Sequence, residues 1–250
     1  MTLIIRRIAL AASFALAAII APLARAQDKP AADTAKPYAL TANLGLAMVS
    51  GNTKVTTLSA GDQFTYKTGA WKFTQLFALL YGKNDSVETA NQWAAGVRAD
   101  YALSKRWALY AGARFDRNPF AGFDERYGEN VGAIWNAVTA PKDKLDLEAG
   151  LGLTQQRSTT GTNTDYPNGR GALVYRHSWT DKTYFQEAAE ALPDLKHSNN
   201  LRVNSLAELI APISAAVGMR FAYLVQYDET PEPGFKTTDQ TLTAGLQFSY

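Results

Sequence analysis

The feature that most constrains this chain is a two-residue rhythm that runs through most of its length. Leu40, Ala42, Leu44, Leu46 and Met48 alternate with Thr41, Asn43, Gly45 and Ala47. The same parity rule links Trp71, Phe73, Phe77, Leu79 and Tyr81, then Trp93, Ala95, Val97, Ala99, Tyr101 and Leu103, then Trp107, Leu109, Ala111, Ala113 and Phe115. It returns at Val131, Ala133, Trp135 and Ala137, at Leu145, Leu147, Ala149, Leu151 and Leu153, and at Val217, Met219, Phe221, Tyr223, Val225 and Tyr227. The last set is Leu242, Ala244, Leu246, Phe248 and Tyr250. Side chains of a strand point alternately to its two faces, so each segment is a ribbon with one apolar and one polar side. Strands of a soluble sandwich usually run about five or six residues. These run to about ten or more, the length a tilted strand needs to cross a bilayer.

A strand in hydrocarbon cannot leave backbone N–H and C=O groups unpaired, so a sheet there must close on itself. The sequence therefore predicts an all-β fold: a transmembrane, antiparallel, up-and-down β-barrel of about twelve strands over residues 38–250. Short connections at 68–70, 104–106, 140–143, 180–182 and 211–214 alternate with mostly longer polar ones at 83–88, 117–126, 158–165, 193–200 and 229–236. The connection near 50–54 is the short exception. Short turns on the periplasmic side and longer loops outside describe an outer-membrane barrel. Aromatics near the segment ends predict two interfacial girdles: Trp71, Trp107, Trp135, Trp179, Tyr184 and Tyr250 on the turn side, with Tyr81, Trp93, Tyr127 and Tyr227 on the loop side.

The first residues predict the address. Arg6 and Arg7 precede an apolar run from position 8 to 20, Pro22 breaks it, and Ala24-Arg25-Ala26 supplies small residues for signal peptidase. That is a cleaved secretory signal peptide over residues 1–26, implying export by the Sec pathway to the outer membrane of a Gram-negative bacterium. Residues 27–37 are polar, carry two prolines and read as a disordered periplasmic lead-in. Of the 25 basic residues, Arg6, Arg7 and Arg25 lie in the signal, leaving 25 − 3 = 22 against 23 acids. A net charge of 22 − 23 = −1 gives no basic surface for nucleic acid. The chain has no cysteine, which excludes disulfides, thiolate metal sites and a cysteine nucleophile.

The polar faces hold the candidate site. Arg98, Asp100, Arg114, Asp116, Asp146, Glu148, Arg202, Glu208 and Arg220 all fall on the lumen parity of their segments. Charges of both signs there mean either a paired network filling the barrel or a narrow pore lined by charge. About twelve strands lie between barrels filled by side chains and those with an aqueous channel. The connection holding Arg117, Asn118, Pro119, Phe120, Gly122, Phe123 and Asp124 is unusually apolar, and is read as a loop folding inward as a constriction or cap. Asp62 shares a parity with Leu58, Ala60, Phe64 and Tyr66, so a bulge near Gly61 is expected to turn it from lipid. The phase of 183–192 is ambiguous, because Glu187 and Glu190 take opposite faces.

Catalysis is weakly supported. A Ser–His triad needs histidine beside serine. His177 falls near a turn girdle, and His197 lies in a loop with no serine or acid fixed near it by spacing. No nucleophile elbow, metalloprotease or EF-hand pattern occurs, so no catalytic residue and no cofactor is expected. Asp124 with Glu125, or Asp228 with Glu229 and Glu232, read as solvated loop acids, with a divalent cation bridging to lipopolysaccharide as the less favoured alternative.

Several stretches resemble a family of uncharacterised bacterial outer-membrane proteins, labelled salt-induced or YdiY-like. They are Ser50-Gly51-Asn52-Thr53, the hairpin at 101–107, Asp116-Arg117-Asn118-Pro119-Phe120-Ala121-Gly122-Phe123-Asp124, Leu192-Pro193-Asp194-Leu195, Arg202-Val203-Asn204-Ser205 and the end from 223 to 250. The resemblance implies a β-barrel and an outer-membrane address, and supplies no activity. The expected function is a passive small-solute channel or a structural envelope protein. An enzyme acting on lipid or lipopolysaccharide is the alternative. Expected partners are outer-membrane lipid and lipopolysaccharide, and the barrel assembly machinery through a last strand ending at Tyr250.

Overall fold

The computed structural model describes residues 36–50, 55–84 and 87–250. The expected signal peptide, most of the expected lead-in and the connections at 51–54 and 85–86 lie outside the described residues. Twelve strands run in chain order: β1 (Tyr38–Ser50), β2 (Val55–Thr68), β3 (Trp71–Asn84), β4 (Val87–Ala102), β5 (Trp107–Asn118), β6 (Phe123–Thr139), β7 (Asp143–Ser158), β8 (Asn163–Ser178), β9 (Tyr184–Pro193), β10 (Leu201–Pro212), β11 (Val217–Asp228) and β12 (Thr238–Ser249). Each pairs antiparallel with its neighbours in sequence, and β1 pairs with β12 from Thr41–Ser249 to Ser50–Gln240, closing the barrel. Closure removes the two free edges that an open sheet would leave unpaired.

The register follows the parity. Leu46, Val97, Val131, Leu151, Met219 and Leu242 stand exposed on the outer wall, while Ala47, Tyr110, Ile134 and Gln247 are buried inside. No soluble fold leaves so continuous a belt of large apolar side chains uncovered; hydrocarbon is the solvent that accepts it. Ring pairs mark both rims. Trp71 lies 4.8 Å from Tyr101 and Trp107 lies 6.2 Å from Trp135 at the end that carries Tyr38 and Ser249. Trp93 lies 4.6 Å from Phe115, and Phe115 4.8 Å from Tyr127, toward the other end.

Four details differ from expectation. The strands extend into what reads as loop, so that Arg117, Asn118, Phe123 and Asp124 are strand residues and only 119–122 connect β5 to β6. Likewise 159–162 alone connect β7 to β8. A barrel carried above the membrane by its own hydrogen bonds keeps polar side chains in strand, so polarity overstates loop length. Asp62 sits in an unbroken register opposite Ala42 and Phe77, with no bulge at Gly61, and shares the outer face with Phe64 and Tyr66. Tyr184 is no girdle residue: it pairs with Ser178 on the inner face, and Arg176 stacks on its ring at 3.5 Å. The same register settles β9, with Glu187 outside beside Phe185 and Glu190 inside.

Candidate functional site in the barrel lumen

The inner wall is charged on one side. β4 to β11 carry its arginines and most of its acids, whereas β12, β1 and β2 present mainly small or neutral residues such as Thr41, Gly45, Ala47, Ser59 and Gly245. Across this space runs a chain of ion pairs. Lys72 meets Asp100 at 2.6 Å, and Asp100 meets Arg98 at 2.6 Å. Arg98 donates to both oxygens of Glu148, at 2.8 and 2.9 Å, although β4 and β7 are separated by two strands. Arg170 then joins Glu148 at 2.5 Å to Glu190 at 3.0 Å. Tyr110 braces the centre: its hydroxyl accepts from Arg170 at 3.0 Å, and Arg98 lies 4.3 Å from its ring centroid. A Cβ at Gly132 or Gly150 would collide with the backbone of the facing strand and with the Tyr110 hydroxyl, so those two positions admit nothing larger than glycine.

Other bonds cross the lumen outright. Gln92 on β4 donates to Gln226 on β11 at 3.2 Å, and Arg126 on β6 reaches Asp228 on β11 at 3.3 Å. Arg202 on β10 donates to Thr154 on β7 at 2.8 Å. Toward the strand-terminus rim, Gln247 donates to Tyr184 at 3.3 Å and Arg220 pairs with Glu208 at 2.6 Å. The interior is therefore a polar packing crossed by single side-chain bonds, with cavities between them.

One such cavity, about 80 Å³, lies in the loop-side half among Arg114, Asp116, Arg126, Asn130, Asn168, Arg202 and Asn204. At about 15 Å³ per water it holds roughly five. A smaller one of about 20 Å³ is lined by Leu80, Ala90, Asn118, Gln226 and Phe120. Pro119–Ala121 forms a 3-10 turn closed by Gly122 at φ 92°, a left-handed value natural to glycine. Thr159 donates to the carbonyl of Gly122 at 3.0 Å, which ties this connection to the next loop. Phe123 is buried beneath Arg126, whose guanidinium lies 3.8 Å from the ring centroid. Arg117 faces Asp124 at 3.7 Å.

All nine lumen residues read from the sequence lie on the inner face. Arg98, Asp100 and Glu148 belong to the central chain. Arg114 pairs with Asp116 at 2.8 Å, and Asp146 accepts from Asn136 at 2.6 Å. Parity reading missed Lys72, Tyr110, Arg126, Arg170 and Glu190. Arg170 stands between Gly169 and Gly171, where no apolar alternation exposes the phase; a lone arginine among glycines is the only signal it leaves.

Both histidines hold a carboxylate that spacing did not reveal. His177 Nδ1 is 2.8 Å from Asp143 across the β7–β8 ladder, and His197 Nδ1 is 2.8 Å from Asp194. Among the described residues, neither imidazole bonds a serine hydroxyl. Of the acids weighed for a cation, Asp124 faces Arg117, Glu125 pairs with Arg157 at 2.7 Å and Asp228 with Arg126, while Glu229 accepts from the backbone N–H of Leu201 at 3.0 Å.

An apolar outer wall, two aromatic rims and a charged interior define a transmembrane β-barrel of the outer-membrane class. Solved structures agree on the fold. The NanC porin superposes with a TM-score of 0.54 at 11% identity, covering 83% of this chain and 98% of its own. The COG4313 outer membrane channel from Pseudomonas putida F1 gives 0.54 at 9% identity, covering 90% of this chain and all of its own (100%). Residues 42–250 match the family described as "Protein of unknown function, DUF481", and the chain belongs to it. Escherichia coli (strain K12) has a relative, "Uncharacterized protein YdiY", 26% identical over 225 residues, or 89% of this chain and 86% of that one.

Proposed function

We propose that this protein is a narrow passive channel for small polar solutes in the outer membrane of a Gram-negative bacterium. Its Sec signal is removed on export, and its loop end faces the outside. The observation that carries the reading is the nature of the lumen filling. Charged and amide side chains line cavities there, and single bonds such as Gln92–Gln226 span the gap. A barrel whose only task is structural gains nothing from burying so many ionic groups, since apolar filling is as stable or more so. Long side chains exchange rotamers quickly, so bonds of this kind form a leaky gate rather than a wall. The role is non-enzymatic. Lipid and lipopolysaccharide surround the belt, and the strand ending beside Tyr250 is offered to the barrel assembly machinery.

Planar-bilayer recording of purified, refolded protein tests this. Small, steady conductance steps are expected from the native chain, and larger ones from Gln92→Ala with Gln226→Ala. Silent bilayers from folded samples of both proteins overturn the proposal.

A further inference from the structure

The loop-side cavity contains a cation without a counter-charge. Arg114 is matched by Asp116 at 2.8 Å, Arg126 by Asp228 at 3.3 Å, and Glu190 by Arg170 at 3.0 Å. Among the described residues, no carboxylate pairs with Arg202. It is 7% exposed, donates one Nη to the Thr154 hydroxyl at 2.8 Å and lies 5.8 Å from the Tyr166 ring centroid. Its Nε–H is buried without an acceptor. Asp228 stands opposite Arg202 in the β10–β11 ladder, yet its carboxylate is engaged by Arg126 from across the lumen. Arg126 and Arg202 both line this cavity and lie within electrostatic reach of one another, so their charges repel.

A buried, uncompensated guanidinium is costly, and a native interior keeps one where something else supplies the opposite charge. The cavity beside it holds about 80 Å³ and is fringed by Asn130, Asn168 and Asn204; the Asn168 amide already donates to Asn130 and Gly169 and the Asn204 amide to Glu190, so the guanidiniums are the charged donors of this space. We infer that this cavity is an oxyanion-binding site, in which Arg202 and Arg126 take a phosphate or carboxylate group. Guanidinium is suited to it because its planar fork pairs two oxygens at once. The site extends the channel reading by naming the class of solute the lumen retains. It rests on that reading only for the route of entry.

Binding is measured apart from conduction. Folded protein in detergent is heated in sodium phosphate, sodium acetate, sodium glucuronate, sodium chloride or neutral glucose, at matched ionic strength for the salts, and unfolding is followed by gel mobility. Phosphate, or one or both of the carboxylates, is expected to raise the transition above the chloride value in a saturable way. Phosphate alone points to a phosphate solute, and a carboxylate alone to an organic acid. In Arg202→Gln the apparent Kd is expected to rise about tenfold or more, the loss for a charge-assisted bond. Arg220→Gln, which removes a paired arginine at the other end, leaves the Kd unchanged. If Arg202→Gln fails to fold, Arg126→Gln gives the same comparison. Equal shifts in native and variant protein, or none beyond chloride, overturn the site. A shift that depends on Arg202 in a protein with no conductance keeps the site and removes the channel.

Discussion

Glu148 is the joint of the lumen, and its loss has a calculable consequence. Its side chain is 6% exposed and binds two cations: Arg98 through two bonds at 2.8 and 2.9 Å, and Arg170 at 2.5 Å. Glu148→Gln keeps the volume and removes the charge. Breaking a buried ion pair from one side costs about 3–5 kcal/mol because the partner is left uncompensated. Here each arginine keeps a second acid, Asp100 for Arg98 and Glu190 for Arg170. The low end, about 3 kcal/mol, is therefore expected. With a urea slope of about 1–3 kcal/mol per molar, the unfolding midpoint falls by roughly 1–3 M. Tryptophan fluorescence during urea titration of protein folded into lipid vesicles reads the shift. The double change Arg98→Gln with Glu148→Gln should recover part of it, since it removes a stranded charge with its partner. A midpoint that moves by less than about 0.3 M would refute the view that the cross-lumen chain holds β4 to β7. A double variant no more stable than Glu148→Gln would refute the charge argument in particular.

Three further outcomes follow from the geometry. The Asp194 side chain is fully buried; burial disfavours its charge, but hydrogen bonds from His197, Asn200 and the backbone of Lys196 outweigh it and hold the carboxyl below its ordinary range. A depressed folded value stabilises the loop at pH above about 4 and loses that contribution as pH falls further. Hydrogen exchange of 194–200 should therefore quicken, beyond the intrinsic pH trend, below about pH 4 in the native protein, and at all pH in Asp194→Asn. On the outer wall, Val131 is 59% exposed at mid-strand, so Val131→Arg should cost about 2–4 kcal/mol when folding into bilayers. Asp62→Leu should stabilise by a smaller amount. Equal vesicle-folding midpoints for native and Val131→Arg protein would show that hydrocarbon does not touch that face.

The sequence by itself determined what is local and repeated. Parity is a property of one strand, so Leu44, Val97 and Val131 declare the outer wall and Arg98, Glu148 and Arg220 the inner one without knowledge of any neighbour. Segment length, and the absence of another way to satisfy the backbone in lipid, then required closure. Tertiary structure alone decided which charges meet. Arg98 finds Glu148 over two intervening strands, and Gln92 finds Gln226 on the far wall, because closure and strand stagger set which heights oppose one another. Arg170 was hidden by its glycine neighbours, and Tyr184 and Asp62 were placed only by the register their partner strands impose. Arg202, buried with no acid paired to it among the described residues, is invisible in a composition with nearly balanced charge. Pairing depends on where side chains converge in space, and a one-dimensional pattern carries face but not height or distance.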